Sequence, residues 1–363
     1  MRTTRFNSHS LVSSLRVLSE RSNKHAKPNQ TAVFLRPKAM TDTEKHLFPI
    51  YVRHGKNPEN FTAGFIDHEG TIALEPRYED AKRFSEGLAP VRLHGKWGAI
   101  DVHGNSVIPC THEGIGLRFS EGRIRFTVGN CHGVLSSDGR VIVPPRYKAI
   151  SSFAEGSAYV SNGKNFGFVD LWGNEFIPPY FEDALEFGDG LAPVQLGGKW
   201  GYIDHKAAFA IEAKFDFALP FHEGLARVAV GGRWGPYGYI KKTGEFAITP
   251  RFAHAYDFHE GLASVALEKN GPRGFIDPSG RFTIAPAYAF TGHFSEGLAG
   301  VTPVGDRLKH FIDREGVRAF AGSYLGGDDF LNGLCLVSTM ETIAYINHRG
   351  ETVWEGPYVA GKA

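Results

Sequence analysis

"FSEGLAPVRLHGKWGAID" runs from Phe84 to Asp101, and its parts return along the chain. "FGDGLAPVQLGGKWGYID" begins at Phe187, "FHEGLARVAVGGRWGPYGYI" at Phe221, "FHEGLASVALEKNGPRGFID" at Phe258 and "FSEGLAGV" at Phe294. The step glycine-aromatic-isoleucine-aspartate sets the alignment, from Gly64-Phe65-Ile66-Asp67 to the weaker copy Ala344-Tyr345-Ile346-Asn347, with a spacing of 34 to 37 residues. A fixed period of this length marks a solenoid, a propeller or another repeat array.

Each unit divides into pieces with physical meaning. "GLAPVRL" alternates apolar and polar residues, the pattern of a strand with one buried face. "HGK" turns the chain, and "WGAID" is a second strand rich in aromatic and β-branched residues. D-x-x-G follows, as at Asp101–Gly104. Its Asp is expected to accept backbone N–H bonds, and its Gly to close a tight turn. A third strand such as "EFIPP" ends in Pro, which cannot donate to a ladder. The arm "RYEDAKRFSEG" (77–87) is too short for a stable helix. It reads as a fourth short strand or an irregular link. One such meander cannot bury its own apolar face, so each copy must supply half of its neighbour's core.

"GLAPVRLHGKWGAID" and "GLAPVQLGGKWGYID" resemble the WG-repeat family, also called KWG repeats, over about residues 46–357. The resemblance implies a tandem all-β array of the binding or scaffolding kind, mostly bacterial. The expected fold is therefore all-β: short antiparallel meanders in tandem, forming a propeller-like toroid. An open twisted β-solenoid is the alternative. About eight full repeats and a partial ninth fill a single array over 41–363, with "GLAPV" as the innermost strand and the aromatic arm outermost. Residues 1–40, rich in Arg, Ser and Asn, read as a disordered leader or an upstream extension ahead of Met40.

Composition narrows the function. The chain has 363 residues, a net charge of +1, 42% hydrophobic residues, 44 Gly and 28 Phe. That balance gives no field for nucleic acid and no polyanionic surface. No apolar run reaches the roughly 18 residues that membrane insertion by a helix needs. The three cysteines form no repeated framework, which points to a reducing, cytoplasmic setting. Export or organelle targeting through residues 1–40 is the alternative.

Candidate sites are few. Glu86, Glu121, Glu155, Asp189, Glu223, Glu260 and Glu296 recur at the F-x-E-G step. Catalysis needs one asymmetric constellation, so seven equivalent acids are expected to bond backbone amides in their own turns. Trp97, Trp200 and Trp234 are expected to pack between repeats. The pattern breaks where "GRIRFTV" (122–128) replaces "GLAPV", and Cys110, His112, Cys131 and His132 flank that break. They form a weak zinc candidate whose spacing matches no common finger. No motif asks for a cofactor.

The leading functional expectation is a non-enzymatic scaffold that binds a protein or peptide through loops of the array, with a glycan as the alternative ligand. The second is a hydrolase-like enzyme at the centre of a toroid, using Glu86, His222 and His259. The third is a structural spacer.

Overall fold

The computed structural model describes residues 46–55 and 61–357; the leader assigned to 1–40 lies outside them. Among the described residues every regular element is a strand, and no helix is long and apolar enough to cross a membrane. The strands form eight antiparallel sheets. They carry nine repeat units, because one six-stranded sheet holds the seventh and eighth. The long strand Phe282–Thr291 serves both, pairing with Arg273–Ile276 at one end and with Ala299–Pro303 at the other.

The second unit represents the rest. Its strands are Asp80–Ala81, Leu88–Leu93, Lys96–Asp101 and Ser106–His112, paired in that order. The aromatic arm is thus not an outer fourth strand. Asp80 and Ala81 pair with Arg92 and Val91 on the far side of "GLAPV", so the arm begins a sheet instead of ending one. A two-residue segment carries no periodicity of its own, so its place is set by pairing with Arg92 and Val91 and not by the strand before it.

Each interface buries one mixed core. Leu191, Trp200, Tyr202, Ile211 and Phe215 of unit five pack with Ala218, Phe221, Ala226, Val228 and Ile240 of unit six. The middle-strand aromatic of one unit meets the F-x-E-G phenylalanine of the next. Six such ring pairs recur at 4.9–5.3 Å, including Phe65–Phe84 and Tyr239–Phe258. Tyr202 and Tyr239 then donate their hydroxyls to Leu219 O and Tyr256 O of the following unit, at 2.8 and 2.6 Å. Such bonds satisfy the polar tip of a ring whose body is buried.

The ring closes by the same means. Tyr345 of the last unit donates to Pro49 O of the first at 3.0 Å. Phe48, Ile50 and Ile66 share a core with Leu334 and Tyr345. The fold is a β-propeller, and the open solenoid is excluded.

The repeated acids form a second continuous system. Ser85 and Leu88 exchange both backbone hydrogen bonds, which makes Glu86-Gly87 a two-residue hairpin loop. Both residues are left-handed, Glu86 at φ 52° and Gly87 at φ 77°, as a type I′ turn requires. The acid does not reach back to its own turn. The Glu86 carboxylate instead accepts from Glu121 N and Gly122 N of the next unit, both at 2.7 Å. Glu121, Glu155, Asp189, Glu223, Glu260 and Glu296 repeat this bond to Gly156, Gly190, Gly224, Gly261, Gly297 and Gly333. The partner lies in the following turn, not in the acid's own.

Asn332 takes the acid's place in the last unit, at φ 53°, and Asn tolerates this region better than Glu. Glu223→Asn is therefore expected to cost about 1 kcal/mol, from the lost bonds to Glu260 N and Gly261 N. Glu223→Ala is expected to cost about 2 kcal/mol, because left-handed strain adds to that loss. Urea titration checks this; equal stability of the two variants would remove the strain argument.

Candidate functional site

A propeller presents its unlike residues where the architecture leaves them free. Here that place lies between the short first strand and the F-x-E-G phenylalanine. The units read "KR" (82–83), "GLR" (116–118), "SS" (151–152), "LE" (185–186), "LP" (219–220), "YD" (256–257), "GH" (292–293) and "DD" (328–329). These residues turn toward the ring axis. Arg83 of unit two reaches Asp328 of unit nine at 2.5 Å, past the whole of unit one, which only an inner edge permits.

Two cavities open there. The larger, about 600 Å³, is lined from units two, three, eight and nine by Arg83, Arg118, His293, Lys309, Asp328 and Asp329 among others. The second, about 460 Å³, lies between units three and four and is lined by Arg118, Arg123, Arg125, Ser151, Ser152 and Tyr159. Arg118 borders both. A glycine lines each cavity, at the position after the unit's first strand. A Cβ on Gly292 would lie 2.9 Å from Asp329 Oδ1, and one on Gly116 would lie 3.2 Å from the Ile124 side chain.

Two ion pairs lie in the larger cavity, Arg83 with Asp328 and His293 with Asp329. His293 Nε2 lies 2.8 Å from Asp329 Oδ2. That hydrogen bond outweighs burial and raises the imidazole above its ordinary pKa, with Asp329 and Asp257 charges adding to the effect. Its neighbour His259 stacks on it with ring centres 4.3 Å apart. Burial, then the His293 and His222 charges, push His259 the other way. A raised pKa means that the folded state holds this proton more firmly than the unfolded chain. The contribution is full below about pH 6.5 and fades as pH rises through the raised value. The melting temperature lost on Asp329→Asn is expected to shrink as pH rises from about 6.5 through the raised value. A constant loss would refute the charged pair.

The acids and histidines of the enzyme reading are not assembled. Glu86 has both oxygens held by unit three, while His222 and His259 stand side by side in units six and seven, ring centres 5.5 Å apart.

The zinc candidate is also dispersed. The Cys110 thiol points to Val91 O at 3.8 Å, and burial raises its pKa. The His112 ring packs against Phe126, Cys131 lies 3.5 Å from Lys148 Nζ, and His132 Nδ1 shares a bond with Thr127. Among the described residues no three His, Cys, Asp or Glu side chains gather as a metal set. Adjacent strand residues point to opposite faces, so Cys131 and His132 cannot serve one ion.

Trp200 is buried at 3% and Trp97 is half-buried, with Lys82 Nζ 5.3 Å above its ring. Trp234 is 81% exposed, which corrects its assignment to repeat packing. The inserted Pro236-Tyr237 places Tyr237 opposite Ala229, in the buried place, and leaves Trp234 on the turn.

Sequence reasoning missed the arginines of the smaller cavity. Their signal was the pattern break "GRIRFTV" and an arm one residue longer than that of unit two. Both read as losses of a repeat rather than as gains of a site.

The profile of the WG-containing repeat matches seven tandem segments, 64–97, 97–130, 133–165, 166–200, 200–234, 237–270 and 274–302. No curated protein matches in sequence. A solved structure described as a eukaryotic initiation factor is similar over 87% of this chain and 97% of its own, with a TM-score of 0.62 and 11% identity. AztD from Citrobacter koseri, in its apo form, is similar over 88% of this chain and 96% of its own, with a TM-score of 0.42 and 13% identity. Hsv2p of Kluyveromyces lactis is similar over 63% and 90%, with a TM-score of 0.38 and 8% identity. The first of these likenesses concerns the fold alone.

Proposed function

Because this chain belongs to the WG-repeat family, whose propeller suits a scaffold or binding role, we propose that it is a non-enzymatic scaffold that seats a protein or peptide partner on its inner-edge loops. One observation carries the reading. The unlike residues of the repeats gather at two cavities on that edge, while the repeated acids are committed to backbone amides. A binding surface needs this division between a constant frame and variable loops.

The test is a photocrosslinking residue placed at Leu117, 70% exposed beside the smaller cavity, or at Val141, 56% exposed on an outer strand. In cells of the source organism, a discrete protein adduct is expected from position 117 and none from position 141. Absence of an adduct at 117, or equal adducts at both, would overturn the assignment.

A further inference from the structure

We propose that the cavity between units three and four receives an anionic side chain, through carboxylate or phosphoryl oxygens, of the partner inferred above; the proposal rests on that reading. Three arginines line it, and none is required by the repeat. Arg118 belongs to the arm's extra residue: three residues separate Ile115 from Phe119, whereas two separate Ala81 from Phe84. Arg123 stands where Leu88, Leu191, Leu225 and Leu262 stand in other units, and Arg125 stands in the place of Pro90 and Pro193. Arg118 and Arg123 depart from the pattern, Arg125 has a counterpart in Arg227 of unit six, and the three arginines meet at one cavity.

The arginines are not directly paired, although Arg118 also borders the larger cavity that holds Asp328 and Asp329. No carboxylate lines the cavity. Among the described residues none of the three arginines forms an ion pair. Arg123 is fixed by neutral acceptors, donating to Leu171 O at 3.0 and 3.2 Å and to Glu121 O at 2.9 Å. The Glu121 carboxylate is itself bound to Gly156 N. The charges of Glu186 and Asp183, in the arm and first strand of unit five, are felt at Tyr159, as is that of Arg125.

Like charges held together without directly paired acids raise the free energy of the empty protein, and a bound oxyanion lowers it. Guanidinium forks suit carboxylate and phosphoryl oxygens because two parallel N–H donors match two oxygens. Ser152 and Tyr159 add neutral hydroxyl donors on the opposite wall. About 460 Å³ accommodates a side chain with its first waters. Leu117, exposed at the rim, offers an apolar contact for the rest of the partner.

The test uses the full chain and three fluorescent pentapeptides, Gly-Ser-X-Ser-Gly, with X as phosphoserine, glutamate or serine. At least one anionic peptide is expected to bind about tenfold or more tightly than the serine peptide. Added salt is expected to weaken that preference. Phosphoserine ahead of glutamate assigns a phosphoryl group, and the reverse order assigns a carboxylate. Arg118→Gln and Arg125→Ser are expected to erase the preference. Arg125→Ser restores a residue that unit seven carries at this place, Ser264, so it is expected to keep or raise the melting temperature.

Equal binding of all three peptides, or a preference that survives both substitutions, overturns the anion assignment. Failure of the partner reading is seen separately, as a missing crosslink at position 117 in a protein that still prefers the anionic peptide.

Discussion

Gly201→Ala is expected to destabilise the protein by about 2–3 kcal/mol, far more than a usual surface change. Gly201 lies in the middle strand of unit five, and the third strand bulges against it. Trp200 pairs with Phe215 and Tyr202 with Ile211, so the partner strand gains extra residues between them. That bulge brings Ile211 O to 2.6 Å and Ala213 N to 2.7 Å from where a Cβ would stand. Both are backbone atoms, which cannot rotate away as a side chain can.

The same approach, 2.3–2.7 Å, recurs at Gly64, Gly98, Gly133, Gly167, Gly238 and Gly274. The exceptions support the argument. Unit eight carries His310 at this place, and its third strand is reduced to two isolated bridges, Ile312 to Arg318 and Lys309 to Tyr324. Unit nine carries Ala344, and there Ala344 pairs in register with Glu355, the register shift coming only further on, between Tyr345 and Ile346. Ala344→Gly is accordingly expected to change stability by less than about 1 kcal/mol. Urea titration of both variants measures the contrast; equal effects would show that the bulge does not require the glycine.

Trp200→Ala is expected to cost about 3–5 kcal/mol, while Trp234→Ala is expected to stay within about 0.5 kcal/mol of the parent. The two residues share a sequence context, "GGKWG" and "GGRWG". Trp200 is 3% exposed and meets Phe217 of the next unit with ring centres 5.7 Å apart. Removing it empties the centre of an interface core. Trp234 has been displaced by the two-residue insertion, with only Arg233 near its ring, 5.6 Å from the centroid. A large loss at 234 would mean that the insertion loop packs in solution, and a small loss at 200 would mean that the interface repacks around the gap.

Much of this fold was legible because each of its devices is local and repeated. Alternation in "GLAPVRL" sets a strand face, D-x-x-G sets a turn, and the period sets an array. The turn prediction rested on the reach of an Asp side chain, and Asp101 Oδ1 accepts from His103 N and Asn105 N, both at 2.9 Å. The arm was misplaced because its two-residue strand has no pattern of its own; pairing with Arg92 and Val91, distant in sequence, defines it. The acids were read as backbone acceptors, but their partners lie 35 to 38 residues away, as from Glu86 to Glu121 and from Glu223 to Gly261. A left-handed turn directs the side chain out of its own unit, and one unit in isolation cannot show what it meets.

The sequence by itself determined that this is an all-β repeat protein, because hydrophobic alternation, turn chemistry and period act within one unit and recur in the next. Only the tertiary structure decided that the array closes, that Trp234 is outside the packing, and that Arg118, Arg123 and Arg125 share a cavity. Closure depends on whether the first and last units are complementary, and Tyr345 to Pro49 settles that across nearly the whole chain. The cavity is lined by three arginines whose spacing in sequence follows no motif. Local patterns specify units; the contacts between units, set by the small rotation from each to the next, specify the ring and its site.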